Sequence, residues 1–112
     1  MSFQESCLDI RIEVRNGYTV LLAGAGVGGD EYVPAELNLD EGIGNSDGYF
    51  SREDVNFTDS AENIELSFRD DGVWLEADLP TAGGDERERQ GINLSEHIEN
   101  QGGQLVFIVS WI

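Results

Sequence analysis

The chain contains itself twice. Asn38-Leu39-Asp40-Glu41-Gly42-Ile43-Gly44-Asn45-Ser46-Asp47-Gly48 returns 55 residues later as Asn93-Leu94-Ser95-Glu96-His97-Ile98-Glu99-Asn100-Gln101-Gly102-Gly103. Gly28-Gly29-Asp30-Glu31 returns at the same offset as Gly83-Gly84-Asp85-Glu86. Nearer the start the offset is 54: Phe3 matches Phe57, Ser6 matches Ser60, Ile10 matches Ile64, Leu21 matches Leu75 and Ala23 matches Ala77. The second copy therefore carries one inserted residue between Ala77 and Gly83. Each copy, about 1–55 and 56–112, is too short to be comfortably stable alone. Two copies must share one core, stacked or with exchanged segments, so the 112 residues are read as a single domain.

Within a copy the hydrophobic period is two. Leu8, Ile10, Ile12 and Val14 alternate with Asp9, Arg11, Glu13 and Arg15, which predicts a half-buried strand. Asn16-Gly17 is a strong hairpin turn, and Tyr18 to Ala23 reads as the return strand. The second copy repeats this with Ile64, Leu66 and Phe68, the turn Asp70-Asp71-Gly72, and Val73 to Leu79. Third strands are expected near Tyr32 to Leu37 and Arg87 to Ile92. Asn38 to Gly44 and Asn93 to Glu99 read as single helical turns behind an Asn cap. Asn45-Ser46-Asp47-Gly48 and Asn100-Gln101-Gly102-Gly103 are turn chemistry before a final strand. Leu105 to Ile112, the most apolar segment, is expected as a central strand. The fold class is all-β with short helical turns.

Composition removes several function classes. Six Arg and no Lys stand against 23 carboxylates, a net charge of −17. Such a field repels phosphate backbones and anionic lipid heads, so no nucleic-acid or membrane partner is expected. One Cys excludes an internal disulfide and a Cys-based zinc site, and one His excludes multi-His metal sites. Enzyme chemistry, metals and cofactors are accordingly not expected. Met1-Ser2-Phe3-Gln4-Glu5 lacks the basic start and apolar stretch of a signal peptide. A cytoplasmic location, or release without a signal peptide, follows as the expectation. The sequons Asn56-Phe57-Thr58 and Asn93-Leu94-Ser95 are then read as bare Asn.

Other motifs have plain structural readings. Gly24-Ala25-Gly26-Val27-Gly28-Gly29 fits G-x-G-x-x-G, but acidic Asp30-Glu31 and Pro34 follow where a nucleotide fingerprint needs a helix. It is read as a Gly-rich hairpin loop. The pairs Asp30-Glu31, Asp40-Glu41, Asp70-Asp71 and Asp85-Glu86 match no calcium loop and are read as solvated surface charge. Cys7, at the repeat position of Ala61, is read as an inert packed thiol, and His97 as structural or exposed.

A polar pattern is more informative. Asn45, Ser46 and Asp47 share one turn, Asn56, Asp59 and Ser60 follow, and Thr81 with Asp85 lies after the second return strand. Short Asn and Asp heads can meet the vicinal hydroxyls of a sugar with paired donors and acceptors. They lose little rotamer entropy on binding, and neighbouring glycines let the backbone approach. Composition alone leaves a solvated loop surface as the alternative.

At these residues the sequence resembles the cyanovirin-N homolog family, and its start and lone Cys resemble the fungal branch. The resemblance runs through Ser6-Cys7, Glu36 to Asp40, Ile43 to Gly48, Asn56 to Ile64 and Gly91 to Asn100. It implies two pseudo-symmetric subdomains, each a triple-stranded sheet plus a β-hairpin with short 3-10 turns. Subdomain A would combine about residues 1–41 and 96–112, and subdomain B about 42–95. It implies a lectin for α1-2-linked mannose of high-mannose glycans, needing no metal or cofactor, and a monomer is expected. A structural or protein-interaction module that kept the fold and lost sugar binding is the alternative. Of four positions that form two family disulfides, only Cys7 is Cys; Ala25, Ala61 and Leu79 hold the others. The subdomain B pocket keeps Asn45, Asp47, Asn56, Asp59, Ser60, Thr81 and Asp85, with Gly44 in place of an acid. The subdomain A pocket keeps Glu5, Ser6 and Asn100, but Gly26, Gly28 and Gly102 replace polar side chains. Binding mainly through the subdomain B pocket is the expectation.

Overall fold

Turn chemistry and alternation set the strands of the computed structural model, which describes residues 3–52, 54–85 and 88–108. Strands β1 (Cys7–Arg15), β2 (Tyr18–Gly28) and β3 (Glu31–Asn38) form one antiparallel sheet. Asn16 and Gly17 both take positive φ, which is what a two-residue hairpin with native twist requires. The hairpin β4 (Ile43–Ser46) and β5 (Tyr49–Arg52) follows. Strands β6 (Glu62–Arg69), β7 (Gly72–Asp78) and β8 (Gln90–Asn93) repeat the sheet, and β9 (Ile98–Gln101) with β10 (Gln104–Phe107) repeats the hairpin. Four single 3-10 turns precede these elements: η1 (Phe3–Glu5), η2 (Leu39–Glu41), η3 (Phe57–Asp59) and η4 (Leu94–Glu96). The protein is all-β, with a triple-stranded sheet and a hairpin from each repeat.

Sheet and hairpin of one repeat do not simply stack on each other. β10 packs on β3 and β9 on η1, while β5 packs on β8 and β4 on η3. Each repeat's hairpin thus reaches segments of the other repeat. Phe3 and Phe57, the first residues of η1 and η3, are 1% and 0% exposed. They join Leu21, Leu39, Ile43, Leu75, Leu94 and Ile98 in one continuous cluster. Burial of two large aromatic side chains contributes roughly 1.5–3 kcal/mol each, and it fixes η1 and η3 against the core. Cys7 lies directly opposite Ala25 in the β1–β2 register. The thiol is buried, and desolvation raises its pKa against a smaller lowering by Ser6. It packs as a small apolar group.

Several local expectations are corrected. Leu8 is more than half exposed, because a bulge between Leu8 and Arg11 breaks the period-two pattern of β1, and Val14 is more than half exposed near the hairpin end of the strand. Gly24 to Gly28 is no loop: it continues β2 and pairs with Glu31 to Pro34 of β3, leaving Gly29 and Asp30 as the turn. The helical turns are shorter than expected, and Ile43 and Ile98 already open β4 and β9. The last strand is no central one: β10 pairs with β9 and ends at Phe107. Residues 109–112, Glu86 and the expected strand start at Arg87 lie outside the described residues. Asn93 of the second sequon is buried, and its Nδ2 donates to the Asp71 carbonyl at 3.0 Å, which leaves no room for a glycan.

Asp40 is the largest correction, since it is 3% exposed rather than solvated. Its carboxylate accepts the Thr19 N–H at 2.7 Å and the Thr58 N–H at 2.8 Å. The Thr58 hydroxyl donates to it at 2.6 Å and so accepts from the Thr19 hydroxyl at 2.7 Å. One side chain thereby ties β2, η2 and η3 together. At the equivalent place in the second repeat, Ser95 Oγ accepts the Val73 N–H at 3.0 Å. An orphaned buried N–H costs about 1–3 kcal/mol. Asp40→Ala orphans two and should lower the unfolding free energy by roughly 2–6 kcal/mol, against roughly 1–3 for Ser95→Ala. Urea denaturation checks the order; equal losses would contradict the assigned bonding.

Candidate functional site

The β4–β5 hairpin carries Asn45 just before a turn at Asp47 and Gly48, both at positive φ. The Asn45 side chain is used three ways. Oδ1 accepts the Gly48 N–H at 2.8 Å, which closes the turn. Nδ2 donates to Ser60 Oγ at 3.0 Å and to the Pro80 carbonyl at 3.1 Å. Asp47 adds a fourth tie, its Oδ1 accepting the Ala82 N–H at 2.9 Å. The 80–85 loop is closed on itself: Asp85 N–H donates to Thr81 Oγ1 at 3.2 Å, and Thr81 N–H to the Asp85 carbonyl at 2.8 Å. Five of the expected residues, Asn45, Asp47, Ser60, Thr81 and Asp85, therefore form one linked rim. Asn56 and Asp59 are exposed on the adjoining turn η3, and Asn56 makes no capping bond there.

A residue that the sequence reading missed stands beside them. A Cβ on Gly44 would lie 2.5 Å from Asp54 Cγ and 2.6 Å from its Oδ2. Asp54 thus occupies the space of the side chain that Gly44 lacks, and places an acid there. The signal in the sequence was only a glycine paired in space with an acid ten residues on, which no local pattern reveals. The rim holds Asp47, Asp54, Asp59 and Asp85. Among the described residues no group of three or more His, Cys, Asp or Glu is arranged to hold a metal ion.

The β9–β10 hairpin repeats the arrangement with fewer side chains. Asn100 Oδ1 accepts the Gly103 N–H at 2.9 Å. Its Nδ2 donates to Ser6 Oγ at 3.0 Å and to the Gly26 carbonyl at 2.9 Å. Gly26 is required, since a Cβ would stand 2.8 Å from the Ser6 carbonyl oxygen that its own N–H binds. Gly28 and Gly102 face open space at positive φ. Glu5 is exposed beside Ser6. Here β2 and β3 stay paired as far as Gly28 and Glu31, so the place of the 80–85 loop is taken by strand. The second repeat, which carries the inserted residue, has a polar loop here, and the first has a bare strand end.

A family model described as CVNH domain matches residues 3–106. The chain is a member of the cyanovirin-N homolog family. The cyanovirin-N homolog of Neurospora crassa is 36% identical over 107 residues, covering 93% of this chain and 96% of that one. The NMR structure of the Gibberella zeae family member has a TM-score of 0.82 and 39% identity, covering 96% and 97% of the two chains. A microvirin:mannobiose complex has a TM-score of 0.79 and 30% identity, covering 96% and 98%.

In this family member the two Asn amides are committed to holding the hairpins. Asn45→Ala removes three bonds and should cost roughly 1.5–4.5 kcal/mol, at about 0.5–1.5 kcal/mol per bond. Amide resonances of Gly48, Ser60 and Thr81 should shift while those of Ser6 and Gly103 stay. Thermal unfolding and NMR check both, and a loss below about 0.5 kcal/mol would mean that water replaces the amide without cost.

Proposed function

We propose that this protein is a lectin that binds the α1-2-linked mannose of high-mannose glycans, mainly at the rim around Asn45. The observation that carries this reading is the linked set of Asn45, Asp47, Ser60, Thr81 and Asp85, held rigid before any ligand arrives. Rigid placement spares the ordering cost that a shallow site can least bear. Asn45 is the positioning residue, because its donors and one acceptor are committed. Exposed Asn56 and Asp59, with Asp54 beside Gly44, present the acceptors and donors that a vicinal diol can use. The microvirin complex with mannobiose supports the choice of sugar. The rim around Asn100 offers fewer side chains, since Gly26, Gly28 and Gly102 flank it. Each missing hydrogen bond forfeits roughly 0.5–1.5 kcal/mol, and 1.4 kcal/mol is about tenfold in affinity.

Binding needs neither metal nor catalysis in this reading, and a shallow rim with a few such contacts gives a Kd between about 1 μM and 1 mM. With one dominant site the monomer does not cross-link glycans. Titration with α1-2 dimannose should shift amide signals of residues 44–60 and 80–85, while Glu5, Ser6, Gly26, Gly28 and Asn100 move little at the same concentration. The reverse distribution would assign binding to backbone groups of the glycine-flanked rim. No saturable shift at either rim would leave a module that kept the fold and lost the sugar.

A further inference from the structure

A cavity of about 180 Å³ lies away from both hairpin tips, where the two repeats meet. Glu41, Gly42, Ile43, Arg52, Ile92, His97 and Phe107 are among the residues that line it. Its walls are repeat mates that have diverged. Gly42 corresponds to His97, and Arg52 to Phe107, each 55 residues apart. On one side Phe107 packs flat on Gly42, so tightly that a Cβ would stand 2.7 Å from two ring carbons. The other side has His97 and Arg52 in the same roles. An aromatic ring on glycine closes a gap; an imidazole facing a guanidinium does not.

Arg52 is set apart from the other arginines among the described residues. Arg15 pairs with Glu13 and Glu36, Arg69 with Glu76, and Arg89 with Glu65 and Asp78. Arg11 donates to the Asp9 carbonyl at 2.8 Å. Arg52 has no ion pair and no side-chain hydrogen bond among the described residues. This holds in a chain with 23 carboxylates, and with Glu41 lining the same cavity. Burial, then the Arg52 charge, hold the His97 imidazole below its ordinary range, against an opposing pull from Glu96. At pH 7 His97 is therefore neutral and has one ring N–H to donate.

We propose that this cavity is a second ligand site, which seats a small monocarboxylate with an apolar body. The guanidinium fork of Arg52 matches a carboxylate with two parallel bonds. Ile43, Ile92 and Phe107 supply apolar walls for the rest of the molecule. A cavity of about 150 Å³ takes a benzene ring, so an aromatic acid fits the volume. Glu41 disfavours a second negative charge, which selects a monoanion over phosphate. The site is separate from both Asn-held rims and does not depend on the lectin reading.

Sodium benzoate is the probe, followed by amide NMR of the full chain at pH 7 and constant ionic strength. Saturable shifts are expected at Gly42, Ile43, Arg52, Ile92 and His97, with a Kd between about 0.1 and 10 mM. Arg52 is exposed, so Arg52→Gln keeps the fold and should weaken benzoate at least tenfold. Benzyl alcohol, which has the ring without the charge, should bind wild type at least tenfold more weakly, a comparison that needs no variant. Added α1-2 dimannose should leave the benzoate affinity unchanged. Shifts that stay linear in benzoate, equal binding of benzyl alcohol, or an unaltered Kd in Arg52→Gln would each overturn the proposal.

Discussion

One carboxamide in each repeat holds a hairpin against segments far away in the chain. Asn45 joins its own turn to Ser60 and Pro80, and Asn100 joins its turn to Ser6 and Gly26. A two-stranded hairpin is marginal by itself, and β4–β5 and β9–β10 have only four residues in each strand. Three bonds from one side chain turn such a hairpin into a fixed wall. Asparagine suits the task because it carries two donors and an acceptor on a short stem. Ser60 and the 80–85 loop at one tip, and Ser6 and Gly26 at the other, are held to their hairpin by this anchoring.

Around that shared device the two repeats have diverged. The first keeps a buried carboxylate, Asp40, which gathers β2, η2 and η3; the second makes do with the Ser95 hydroxyl. The charge of Asp40 is stabilised by two backbone N–H groups and a hydroxyl rather than by a cation. One repeat has a strand end where the other, one residue longer there, has the polar 80–85 loop. At the junction of the repeats, Phe107 on Gly42 is balanced by Arg52 beside His97. Duplication supplied two equal frames, and single substitutions gave their surfaces different chemistry.

The repeat and the period-two alternation make the architecture legible, because both are local or directly comparable along the chain. Asn16-Gly17 marks its turn unaided, since positive φ at both positions demands such residues. What escapes is set by contacts across long sequence separations. The glycines of β2 resemble a loop until Tyr32 to Pro34 pair with them. Asp40 resembles surface charge because Thr19 and Thr58, its partners, are 21 and 18 residues away. The β1 alternation overstates burial, as a bulge is invisible to periodicity. In the candidate site the polar residues around Asn45 were legible by type, and their linkage was not. Asp54 was missed because only the missing side chain of Gly44 gives it a place.

The proposed carbohydrate site is metal-free and stands on a rigid, duplicated frame. The measurement that tests it most directly is a glycan array probed with the wild-type protein, once in plain buffer and once with EDTA. Retention of glycans that end in α1-2-linked mannose, unchanged by the chelator, is the predicted result. Retention of no glycan, or retention that EDTA abolishes, would contradict it.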